Sequence, residues 1–95
     1  MELAILKQKL RPLCIETGID RLGVFGSVAR GEDTASSDID LIARFRNPIG
    51  LMDLIGIEIQ MKELLGRNVD LGTEASLHPL IKDNVQKDLT IIYEG

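Results

Sequence analysis

Gly26-Ser27-Val28-Ala29-Arg30-Gly31, followed after a polar loop by Ser37-Asp38-Ile39-Asp40-Leu41, is the stretch from which the fold is read. It sets a small, backbone-exposing turn beside two carboxylates one residue apart on a predicted strand. Side chains at i and i+2 of a strand share a face. Asp38 and Asp40 are therefore expected side by side, with Ile39 and Leu41 turned to the core. Adjacent carboxylates repel unless protons or cations intervene. The pattern points to a divalent-metal site, with the upstream turn as a phosphate cradle. Together they suggest metal-assisted chemistry on a nucleotide.

Residues on either side supply the rest of the domain. Residues 2–16 read as a helix, with Leu3, Leu6, Leu10, Leu13 and Cys14 at spacings of three and four. Pro12 stands against it, because an interior proline kinks a helix; Gly18 is the expected stop. Residues 21–25 read as a strand, Ser27–Arg30 as a short helix and Gly31–Ser37 as a loop. The second strand covers 38–45 and is broken by Asn47-Pro48 and Gly50. Residues 51–65 form a predicted helix whose candidate core positions are Leu51, Leu54, Ile55, Ile59 and Leu65, closed by Gly66. A third strand begins at Asn68-Val69-Asp70-Leu71, and Gly72–Ser76 is a loop. Pro79 opens a predicted helix to about Gln86, and Leu89–Tyr93 is the last strand. The expectation is one α/β (α+β) domain over residues 1–95, a small mixed sheet of about four strands flanked by helices.

Composition narrows the partners. The chain has 95 residues, enough for one core. Its core must be aliphatic, since aromatics total 3% and Trp is absent. A net charge of −4 argues against an extended nucleic-acid footprint, because phosphate-backbone binding relies on clustered Lys and Arg. A metal can still bring a nucleotide to an acidic site. Cys14 is alone and reads as an inert core thiol. No signal sequence is visible, and no apolar run nears the roughly 20 residues of a membrane span. A cytoplasmic location is expected.

Asp70 is a third acid inside an apolar strand, flanked by Val69 and Leu71. If its strand lies beside the second one, it joins Asp38 and Asp40 on one face. Three converging carboxylates can hold two Mg²⁺ ions. Spacing alone leaves that adjacency open. Arg44 shares the parity of Asp38 and Asp40 but reads better as a solvated strand-end residue. His78 has no Cys or His at metal spacing and reads as a surface residue.

These residues resemble the nucleotidyltransferase fold of the DNA polymerase beta superfamily, whose signature is Gly-Ser, a spacer of about ten residues, Asp-x-Asp and a later Asp. Here that is Gly26-Ser27, Asp38-Ile39-Asp40 and Asp70. The extended motif, with Arg30-Gly31, Val69-Asp70-Leu71 and Ile91-Ile92-Tyr93-Glu94, looks like the minimal nucleotidyltransferase branch. The resemblance implies that Asp38, Asp40 and Asp70 are catalytic and ligate two Mg²⁺ ions, Mn²⁺ being equally suited to carboxylate oxygens. It implies that Gly26, Ser27 and Arg30 bind the nucleotide. Gly26 lacks a Cβ and lets a phosphate approach; Ser27 adds a hydroxyl near a helix N-terminus; Arg30 offers a bidentate guanidinium.

The implied reaction is attack of a hydroxyl on the α-phosphorus of ATP, with pyrophosphate leaving. So short a chain is expected to take its acceptor site from another chain or from a second copy of itself. The resemblance implies an antitoxin that transfers AMP to a tyrosine hydroxyl of a HEPN-type ribonuclease toxin. A bulky anion near a ribonuclease site repels RNA phosphates. Two other readings stay open: neutralisation of the toxin by binding alone, and modification of a small molecule in the manner of the aminoglycoside-modifying enzymes.

Overall fold

Alternating apolar residues build the sheet. The computed structural model describes residues 1–76 and 87–95. Its strands are β1 (Ile19–Phe25), β2 (Ile39–Phe45), β3 (Val69–Thr73) and β4 (Thr90–Glu94). They form one sheet in the order β3-β2-β1-β4. β1 runs antiparallel to both β2 and β4, whereas β2 and β3 are parallel. On β2 the residues Ile39, Leu41 and Ala43 are fully buried, and on β3 Val69 and Leu71 follow them. Asp40 and Asp70 have the opposite parity and so stand on the other face.

Three α-helices lie wholly within the described residues: α1 (Leu3–Thr17), α2 (Gly26–Arg30) and α3 (Leu51–Leu65). α1 buries Leu6, Leu10, Leu13 and Cys14, and α3 buries Ile57, Met61 and Leu65. Both stripes follow the helical repeat and meet the inward faces of the strands in one core. α3 is also the crossover that a parallel strand pair requires. Truncating a side chain as enclosed as Leu6, Leu41 or Met61, each 0% exposed, costs about 2–5 kcal/mol.

Among the described residues the predicted elements are present, several with shifted ends. The first helix extends to Thr17, the first strand starts at Ile19, and Gly72 and Thr73 belong to β3. The expected loop shrinks to a 3₁₀ turn at Glu74–Ser76. Pro12 does not interrupt α1. Both Pro12 and Gln8 are exposed, and the Gln8 carbonyl loses its helical partner there.

Two expectations are corrected. Asp38 lies just before β2 rather than on it. On α3, Leu51, Ile55 and Ile59 were expected in the core but are 70%, 42% and 49% exposed. The sheet is covered instead by Ile57, Met61 and Leu65, with Leu54 packed at the margin. The helix predicted from Pro79 to Gln86, and His78, lie outside the described residues. No helix among those described is long and apolar enough to cross a membrane.

Candidate active site

Gly26 follows β1 directly, and the β1–β2 register sets Phe25 opposite Asp40. The turn therefore abuts the Asp40 side chain. Gly26 has φ +73°, and a Cβ added there would sit 2.6 Å from Asp40 Oδ2. Only glycine meets both the left-handed backbone and the close approach.

The parallel ladder between β2 and β3 aligns Asp40 with Asp70. Neighbouring strands lie about 4.8 Å apart, so the two carboxylates are lateral neighbours on the face away from the core. Asp38 joins from the residue before β2. Burial raises the Asp40 pKa above its ordinary value, and the charges of Asp70 and then Asp38 raise it further. The structure thus brings together the three acids singled out in the sequence, with Asp40 half-buried between exposed Asp38 and Asp70.

Their arrangement is a neighbourhood rather than a finished cage. Among the described residues no three Asp, Glu, His or Cys side chains already converge as a ligand set. The donor chemistry nonetheless fits a hard divalent cation, which takes carboxylate oxygens. Mutual repulsion at Asp40 is the electrostatic counterpart of that fit, because a cation relieves it.

Ser27 sits half-buried in the first turn of α2, beside Gly26. With five residues that helix has little dipole to offer, so the serine hydroxyl is the group that matters there. Arg30 is already engaged: its Nε donates to Glu32 at 3.1 Å and its Nη1 to Asp88 at 2.8 Å. A phosphate there would have to displace a carboxylate. Arg44 donates to Asp20 at 2.7 Å near the other end of β2 and does not join the cluster. Burial pushes the Cys14 thiol up to about 11, which keeps it protonated and inert.

Long-range partnerships tie the fold together, some of them beside the site. Asp33 Oδ2 accepts from the Met1 ammonium at 2.6 Å and from Arg67 at 3.0 Å. Both cations hold its carboxyl below the usual range, the ammonium most strongly. Arg67 also reaches the Thr34 and Ser37 carbonyls. Among the described residues its buried Nε has no partner. Arg21 grips Glu74 through both carboxylate oxygens, at 2.6 and 2.8 Å from Nη2. Glu58 of α3 accepts the Leu71 N–H at 3.0 Å. These are partnerships across the fold, which local spacing does not signal.

A family model described as a nucleotidyltransferase domain matches residues 5–92. Over 85 residues the chain is 38% identical to a Methanocaldococcus jannaschii protein provisionally named a protein adenylyltransferase, covering 90% of this chain and 91% of that one. Over 89 residues it is 33% identical to protein adenylyltransferase MntA of Thermococcus cleftensis, covering 94% and 90%. Among solved structures, a toxin–antitoxin with AMP-PNP matches with a TM-score of 0.83 at 18% identity, over 94% of this chain and 73% of that chain. A tri-AMPylated Shewanella oneidensis HEPN toxin in complex with MNT antitoxin matches with a TM-score of 0.78 at 14% identity, over 99% and 74%. At these identities the structural matches show a shared fold.

Proposed function

The chain belongs to the nucleotidyltransferase domain family, and we propose that it is a protein adenylyltransferase that transfers AMP from ATP to a hydroxyl of a HEPN-type toxin and so acts as its antitoxin. The observation that carries the chemistry is Asp40, set between the close approach of Gly26 and its ladder neighbour Asp70. The relatives' names support the protein acceptor and the adenylyl group. The toxin complexes that share the fold support the partner.

Asp38, Asp40 and Asp70 are the residues to hold Mg²⁺ or Mn²⁺, which when bound supplies positive charge for the triphosphate oxygens. The Gly26 backbone and the Ser27 hydroxyl receive the phosphates. Arg30 contributes only if it exchanges Glu32 or Asp88 for phosphate. The acceptor oxygen forms a bond to the α-phosphorus as the bond to pyrophosphate breaks. On this reading Asp70, which is exposed on the edge strand, orients that hydroxyl and takes its proton. A tyrosine hydroxyl is the acceptor the resemblance implies. The net charge of −4 suits docking on a basic RNA-binding protein.

Intact-mass spectrometry of the toxin, incubated with this chain, ATP and Mg²⁺, tests the proposal. A gain of one or more AMP masses is expected, absent with Asp38→Asn/Asp40→Asn. A stable complex with no mass gain would overturn transfer in favour of neutralisation by contact.

A further inference from the structure

Arg67 lies outside the carboxylate cluster, in the turn between α3 and β3, with its side chain 14% exposed. Its guanidinium meets one loop at three points. Nη1 donates to Asp33 Oδ2 at 3.0 Å, and Nη2 donates to the Thr34 carbonyl at 2.9 Å and the Ser37 carbonyl at 2.7 Å. Ser37 immediately precedes Asp38. One residue beyond Asp38, the Ile39 N–H donates to the Asn68 carbonyl at 2.9 Å. The backbone is therefore tied to the approach to β3 on both sides of Asp38. The loop is also closed on itself. Ser37 N–H donates to the Thr34 carbonyl at 3.1 Å, and Thr34 N–H to Ser37 Oγ at 2.9 Å. A planar fork can serve three acceptors in set directions, which a lysine ammonium on a flexible stem does poorly.

The geometry points to Arg67 as a positioning residue that holds the backbone entering Asp38 in register with β3, so that Asp38 keeps its place beside Asp40 and Asp70, the residues that would hold a divalent cation. This rests on reading the carboxylates as a metal site. Arg67 touches neither nucleotide nor cation in that role. It removes loop freedom that binding would otherwise have to remove.

The test uses the full chain with Arg67→Met and Arg67→Lys. Mn²⁺ binding to the nucleotide-free protein is read by electron paramagnetic resonance, and loop order by amide hydrogen exchange. AMP transfer is followed against Mg²⁺ concentration. With Arg67→Met, Mn²⁺ binding is expected to weaken about tenfold, the range for losing a residue that orients metal ligands. Amides at Ser37 and Ile39 should exchange about tenfold faster while those of Leu22 and Val24 in β1 stay protected. The Mg²⁺ requirement should rise in parallel, with kcat at saturating Mg²⁺ much less affected. Arg67→Lys should fall between the two.

Unchanged Mn²⁺ affinity, or faster exchange spread evenly over β1 and β4, would overturn the role and leave Arg67 a general stabiliser. If the wild-type chain transfers no AMP yet binds Mn²⁺ more tightly than Arg67→Met, the positioning role stands and the transfer reading falls. If wild type transfers AMP and Arg67→Met matches it in all three measurements, the positioning role alone falls.

Discussion

Asp40 occupies the crowded point of the site, with Gly26 on one side and Asp70 on the other. Gly26→Ala should therefore do two kinds of damage. A left-handed alanine costs about 1–2 kcal/mol, and its methyl would push the Asp40 carboxylate aside. Displacements of that order can lower rates about 10²-fold. Thermal unfolding and AMP-transfer assays on the same variant would separate the two. Asp70→Asn should split them in opposite directions. It is expected to abolish transfer, yet the metal-free protein should become more stable by about 0.2–1 kcal/mol, because a like-charged lateral neighbour has gone. A lower melting temperature for metal-free Asp70→Asn would count against this electrostatic account. All three acids were legible in the sequence, Asp40 and Asp70 because an acid inside an apolar strand stands out, and Asp38 through its spacing from Asp40. The departure of Asp38 from the strand was not, since a strand's first residue has no alternation behind it. Arg67 was hidden for another reason: its acceptors lie some thirty positions away.

At the scale of elements, α3 separates what local pattern can reveal from what packing decides. Its bounds, Leu51–Leu65, coincide with those expected from Gly50 and Gly66. Its buried face does not. Leu51, Met52, Leu54, Ile55, Ile57, Ile59, Met61, Leu64 and Leu65 put apolar residues nearly all around the helix. Periodicity then has no contrast to work with, and the sheet selects the face. The same helix reaches β3 through Glu58, which accepts the Leu71 N–H on the strand's unpaired side. Glu58→Ala should cost about 1 kcal/mol and speed exchange at the Leu71 amide, whereas Glu58→Gln keeps an acceptor oxygen and should preserve both. Equal effects from the two substitutions would show that the carboxylate charge, rather than the hydrogen bond, is what the strand needs.

Across the whole molecule, the acids pull stability in opposite directions with pH. Asp20, held low by hydrogen bonding to Arg44, and Asp33, held low by the Met1 ammonium and Arg67, contribute stability above the ordinary aspartate value of 3.8. That contribution is lost as pH falls through their lowered folded values. Asp40 behaves oppositely. Its folded pKa is raised, so its contribution is full below 3.8 and is lost as pH rises through the folded value. Divalent-cation affinity should accordingly weaken on acidification from a higher pH than an unperturbed aspartate would give, which a Mn²⁺ titration at several pH values can check. Mg²⁺ with ATP should raise the melting temperature of wild type and leave that of Asp38→Asn/Asp40→Asn unmoved. The sheet order β3-β2-β1-β4 also has a kinetic side. β1, β2 and β3, with the loop that holds Asp38, lie within residues 19–73, whereas β4 must return from residues 90–94 to pair with β1. Long loops close slowly. The carboxylate-bearing face can form before its far border is sealed, leaving β1 briefly with an open edge. In pulse-labelled refolding, β4 amides should gain protection after those of β2.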